Sequence, residues 1–155
     1  MPIRAVSHIA IGVREMERSL RFYRDLLGLR VTLDRVEPAQ DQPNAPPPRR
    51  RAVYLRWEDG QHSTFVVLDQ QFEQHGEPTE LFQVGLHHVA FWVDDLKEMY
   101  QRLVDAGVPI VHKKGRGDSQ GYGEIGGEDV YYAFFEDPDG TVIQLDQRVS
   151  FGDAL

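Results

Sequence analysis

Residues 87–111, HHVAFWVDDLKEMYQRLVDAGVPIV, repeat residues 7–31, SHIAIGVREMERSLRFYRDLLGLRV. The match sets His88 over His8, Ala90 over Ala10, Val93 over Val13 and, after a one-residue gap, Gly107 over Gly28. An internal repeat decides architecture, because each copy must be one supersecondary unit. In the first copy Ile9, Ile11 and Val13 alternate with His8, Ala10 and Gly12. Side chains leave a strand on alternate sides, so this predicts a strand with one aliphatic face and one small or polar face. Met16, Leu20, Tyr23 and Leu27 then recur at helical spacing, and Gly28 stands where a left-handed helix end belongs, so a helix is predicted over 15–27. Strands are predicted over 29–36, 52–57 and 63–69, the last two separated by the turn Asp59-Gly60.

The second copy follows the same order. Asp95 with Glu98 forms a capping box, Leu96, Tyr100 and Leu103 make the apolar stripe, and Gly107 ends the helix. Strands over 131–136 and 141–146 flank Asp137-Pro138-Asp139-Gly140, whose residues suit a tight reversal. The fold class predicted is α+β, two tandem βαβββ modules. The first occupies 1–76 and contains a loop over 37–51 rich in proline (Pro38, Pro43, Pro46, Pro47, Pro48); 77–84 is a linker; the second occupies 85–155 with a Gly-rich loop over 112–129.

Composition narrows the function. The chain has 155 residues, 41% of them hydrophobic, enough for a substantial core. A formal charge of -8 opposes binding to phosphate backbones, which disfavours nucleic acid as a partner. There is no cysteine, so thiolate chemistry is excluded and any metal must sit on imidazole and oxygen ligands. The absence of cysteine fits a cytoplasmic setting. The N-terminal stretch does not read as a secretory signal and no run approaches membrane-spanning length, so no membrane partner is expected.

The histidine at the start of each repeat, with FEDPDGTVIQL at 135–145, resembles the vicinal oxygen chelate superfamily of glyoxalases, extradiol dioxygenases and bleomycin-resistance proteins. The resemblance covers about residues 4–148 and implies two modules whose curved mixed sheets form a cup, the glyoxalase-like fold, around a divalent metal (Fe, Mn, Ni, Co or Zn). It implies a small-molecule substrate bound through adjacent oxygens, and a homodimer. The positions matching family ligands are His8, His88 and Gln144, with Val67 at the fourth. Strand parity agrees: His8, His88 and Gln144 all lie opposite the large aliphatics. A lone strand histidine is ordinarily a hydrogen-bonded structural residue; two at equivalent repeat positions favour ligands.

Two departures shape the expected chemistry. Gln144 stands where the family carries glutamate, and its neutral amide can coordinate through oxygen but cannot cancel metal charge. Val67 cannot coordinate at all and is assigned to substrate binding. Both weaken a glyoxalase I reading. Three ligands with open positions resemble extradiol dioxygenases, although Phe134 replaces the tyrosine those enzymes carry ten residues before their glutamate. The expectation is a metal-dependent enzyme of this superfamily, of extradiol dioxygenase type; the alternatives are a metal-free ligand-sequestering protein or a glyoxalase- or epimerase-type lyase or isomerase. Tyr132 and Glu124 are the candidate catalytic groups, and Trp92, Phe134, Val67 and Asp146 the candidate substrate contacts. His87 is read as a support for its neighbour; His62, His75 and His112 as surface residues.

Overall fold

A computed structural model describes residues 5–38, 49–60, 63–71 and 76–149. The chain divides into two compact units, Met1–Gly76 and Glu77–Leu155. In the first, β1 (His8–Gly12) leads into α1 (Met16–Leu20) and a π-helical turn (Arg21–Leu26), followed by β2 (Arg30–Pro38), β3 (Arg49–Arg56) and β4 (Phe65–Gln71). The second runs β5 (Val89–Trp92), α2 (Leu96–Asp105), β6 (Ile110–Gly117), a 3₁₀ turn (Ser119–Tyr122), β7 (Val130–Glu136) and β8 (Val142–Arg148). Each unit forms a four-stranded mixed sheet, β1-β4-β3-β2 and β5-β8-β7-β6, with the first strand parallel to the last and the other pairs antiparallel. The fold is the α+β, two-module one that the repeat predicts.

The alternation explains the layering. Ile11, Val13, Val53, Leu55, Val66 and Leu68 lie on one face of the first sheet, buried together with Met16, Leu20 and Tyr23 of the helix. Ala133, Phe135, Ile143 and Leu145 do the same in the second, buried with Leu96 and Leu103 of α2. Each Val, Leu, Ile, Phe or Met side chain among them contributes about 1.5–3 kcal/mol when withdrawn from water. The opposite face of the second sheet carries the polar and aromatic residues from which the site is built.

The one-residue gap between the repeats has a physical counterpart. Offsets between copies agree from His8/His88 to Met16/Leu96 and change before Gly28/Gly107. The first helix takes up its extra residue in the π-helical turn, where the Leu27 N–H donates to the Phe22 carbonyl at 3.0 Å. The helix expected over 15–27 is therefore α-helical only over Met16–Leu20. Gly28 and Gly107 both adopt positive φ, 79° and 73°, as left-handed helix ends.

A second repeated device ties each helix to its sheet. Leu68-Asp69-Gln70 and Leu145-Asp146-Gln147 lie one residue short of the ends of the last strands. The Gln70 side-chain oxygen accepts from the Met16 N–H at 3.1 Å, and that of Gln147 from the Leu96 N–H at 2.8 Å. Each satisfies a donor that the first helical turn leaves without a partner. Asp95 caps α2 by accepting from the Glu98 N–H at 2.8 Å, while Glu98 pairs with Arg102 at 2.6 Å, so half of the predicted capping box forms.

Two loop expectations are corrected. The Gly-rich stretch 112–129 begins as strand, since β6 continues to Gly117, and then forms the 3₁₀ turn. Gly115 serves close packing, since a Cβ there would lie 2.6 Å from Cζ of Tyr132, whose ring crosses β6. The Pro-rich stretch 37–51 is shorter than expected, because β2 extends to Pro38 and β3 starts at Arg49; residues 39–48, like His62 and His75, lie outside the described residues. No helix among the described residues is long and apolar enough to cross a membrane.

Candidate functional site

The polar face of the second sheet opens into a cleft of about 680 Å³. Register builds it strand by strand: Ala90 lies opposite Gln144 and Trp92 opposite Asp146 between β5 and β8, while Phe134 and Tyr132 lie opposite the same two residues from β7. His88, immediately before β5, His112 on β6 and Tyr122 on the 3₁₀ turn complete the wall, together with Phe82. Of the residues singled out from sequence, His88, Trp92, Tyr132, Phe134, Gln144 and Asp146 thus share one cavity.

At its floor lies a closed three-membered hydrogen-bond ring. The Tyr122 hydroxyl donates to Asp146 Oδ1 at 2.9 Å, and the Gln144 amide nitrogen donates to the same oxygen at 2.7 Å and to the Tyr122 hydroxyl oxygen at 3.2 Å. Both amide hydrogens of Gln144 are occupied. The opposite orientation would set the amide oxygen against a carboxylate, so the ring fixes which end of the amide is which. Gln144 Oε1 and Asp146 Oδ2 are left without a hydrogen-bond partner among the described residues, although Gln144 is 8% and Asp146 3% exposed. Burial pushes the Asp146 carboxyl up, against the opposing pull of Gln144, Tyr122 and His88. Burial, reinforced by the bond to Asp146, also raises the Tyr122 hydroxyl.

The imidazoles are supported through one nitrogen. Nδ1 of His88 lies 2.8 Å from Nδ1 of His87, and Nδ1 of His8 lies 2.9 Å from the Ser7 hydroxyl. With the hydrogen on Nδ1, each keeps the Nε2 lone pair for a ligand, as supporting hydrogen bonds do in metal sites. Burial, with the neighbouring His87, lowers the His88 pKa and favours the neutral ring a metal needs, with Asp146 opposing. His8 belongs to the first unit, stacked on Phe65 with centroids 5.1 Å apart. Val67, in register with Ala10, is buried in that sheet.

Glu124 does not line the cleft. Arg148 holds it bidentately at 2.6 Å through both carboxylate oxygens, which keeps its carboxyl below the ordinary range. The same guanidinium lies 4.7 Å over the Trp92 ring, which links Glu124 to the cleft wall through Arg148. Tyr132 does line it, its ring 5.9 Å from Phe134 and 5.8 Å from His112. Two residues were missed by the sequence reading: His112, assigned to a surface loop, and Tyr122, in the Gly-rich stretch. Its signal was faint: Asp118, three residues before Gly121, whose side chain accepts from the Gln120 and Gly121 N–H groups and so shapes the turn that presents Tyr122.

Among the described residues no three His, Cys, Asp or Glu side chains cluster in a metal-holding arrangement. The second unit does bring one imidazole, His88, and one amide of fixed orientation, Gln144, to the same cleft.

Known proteins agree with this architecture. The chain is 28% identical over 150 residues to a lactoylglutathione lyase of Neisseria meningitidis serogroup A, covering 96% of this chain and 94% of that protein. It is 26% identical over 149 residues to that of Haemophilus influenzae, covering 94% and 93%. Among solved structures, a glyoxalase I of Leishmania major matches with TM-score 0.60 and 26% identity over 92% of this chain and 86% of its own. A glyoxalase family protein of Bacillus cereus shares the fold with TM-score 0.74 at 13% identity, covering 97% of each chain. With the family profile matching residues 5–145, the chain belongs to the Glyoxalase/Bleomycin resistance protein/Dioxygenase superfamily.

Proposed function

We propose that this protein is a divalent-metal-dependent lyase or isomerase acting on a small molecule that presents two adjacent oxygens. The observation that carries this reading is the fixed amide of Gln144, whose buried Oε1 has no hydrogen-bond partner among the described residues, in the same cleft as a histidine held neutral. A buried acceptor left open calls for a ligand. His88 through Nε2 and Gln144 through Oε1 would hold the metal. When bound, such a cation supplies Lewis acidity, drawing electron density from the substrate's oxygens.

The chain's own groups orient the substrate. Trp92 and Tyr122, with ring centroids 5.7 Å apart, form an aromatic wall. Asp146 Oδ2 accepts a hydrogen from a substrate hydroxyl, and the Tyr132 hydroxyl donates to a substrate oxygen. Phe134 packs edge-on to His88 at 5.8 Å and shields the metal-facing imidazole from water. The lactoylglutathione lyases among the relatives favour lyase or isomerase chemistry over oxygen-dependent ring cleavage. An apolar Phe134 beside His88, where the ring-cleaving enzymes place a tyrosine, points the same way.

The test has two arms. Protein reconstituted with iron, manganese, nickel, cobalt or zinc takes up one equivalent of at least one of them, and His88→Ala abolishes uptake. The loaded protein then exchanges the C–H beside the carbonyl of a hemithioacetal or 2-oxo compound with D2O, followed by NMR. Failure to take up any of the five metals sinks the reading and leaves a ligand-sequestering protein in its place.

A further inference from the structure

The two units solve one electrostatic problem differently. Asp69 and Asp146 occupy equivalent register positions, opposite Ala52 on β3 and Tyr132 on β7. In the first unit Arg50, two residues before Ala52, neutralises Asp69 at 2.6 Å, and the neighbouring Val67 offers no donor. In the second unit the place of Arg50 is taken by Val130, fully buried and apolar. No arginine or lysine among the described residues pairs with Asp146. Its Oδ1 instead collects the Gln144 amide and the Tyr122 hydroxyl. A carboxylate with only neutral donors stands beside the amide whose outer oxygen is open.

Building on the metal-dependent reading above, we propose that Asp146 is a positioning residue that turns Gln144 into a competent metal ligand and supplies the negative charge the glutamine lacks. Three effects combine. Accepting from the amide nitrogen pins Oε1 away from Asp146. It also polarises the amide, raising electron density on Oε1, as a carboxylate behind a ligating histidine raises that ligand's basicity. The carboxylate charge would lie beside the ligating amide in a buried setting, where solvent would screen it little. Tyr122 buttresses the arrangement by donating its single hydrogen to Asp146 while receiving one from Gln144.

The experiment titrates metal-free protein with Co2+, followed by the cobalt absorption bands and competition with a chelator. Asp146→Asn keeps the side chain's shape, removes its charge, and weakens Co2+ binding roughly 10- to 100-fold. Gln144→Ala also weakens it, and Gln144→Ala/Asp146→Asn loses less than the sum of the two single losses, because part of the Asp146 effect passes through the glutamine. Tyr122→Phe, which leaves both partners in place, shifts affinity in the same direction and serves if near-UV circular dichroism shows Asp146→Asn to be misfolded. Unchanged affinity in the folded Asp146→Asn variant, or additive losses in the double variant, overturns the proposal while leaving the metal-dependent reading intact. Wild-type protein that takes up no Co2+ or other divalent metal overturns both.

Discussion

At Gln144, a single atom separates this chain from the glutamate of the family it belongs to. A glutamate there would bring a second carboxylate to the 2.7 Å at which the amide now meets Asp146 Oδ1, with no arginine among the described residues to separate the charges. Gln144→Glu is therefore expected to destabilise the metal-free protein by about 1–3 kcal/mol, the range for breaking a buried hydrogen bond and leaving its partner unsatisfied. Saturating divalent metal should restore the loss. Urea unfolding with and without metal measures it, and equal stability of the two metal-free proteins would contradict the ring geometry. The neutral amide was legible in the sequence, as was its strand parity. What it bonds to was not, because Tyr122 approaches from a turn 22 residues away whose position depends on how β6 and β7 pair.

Among the elements, β3 links the first unit through Arg51. Its guanidinium reaches Glu17 on α1 at 2.6 Å and Asp34 on β2 at 2.6 Å, and Arg51 holds the Asp34 carboxyl below its ordinary 3.8. A lowered folded-state carboxyl adds stability that is complete above the unfolded value and lost as pH falls through the folded one. Arg51→Met should thus cost roughly 0.2–1 kcal/mol per pair near neutrality, the ordinary worth of exposed ion pairs. The difference from wild type should shrink below pH 3.8. A gap that stays constant into acid would show that Arg51 works by packing alone. Element types were readable from periodicity, and the one-residue gap between repeats marked where the helix departs from α geometry. That it would become a π-helical turn was not readable, since the cost of that turn is met by packing Phe22 and Tyr23 into the core.

Taken whole, the chain is acidic, with a formal charge of -8. Such a field draws cations, so the association rate of Co2+ with the metal-free protein should fall as ionic strength rises from about 0.01 to 1 M and the Debye length shrinks from about 30 to 3 Å. A rate independent of salt in stopped-flow mixing would show that the net charge plays no part in metal capture. The repeat by itself determined the two-unit βαβββ order, the split of aliphatic and polar faces, and the shared face of Trp92, Phe134, Gln144 and Asp146, because a strand's period of two is a local property of the backbone. Only tertiary structure decided that Glu124 is tied to Arg148, that His112 and Tyr122 enter the cleft, and that Asp146 lacks the arginine its counterpart Asp69 enjoys. Those outcomes depend on which residues long-range strand pairing sets side by side, and no local pattern encodes that.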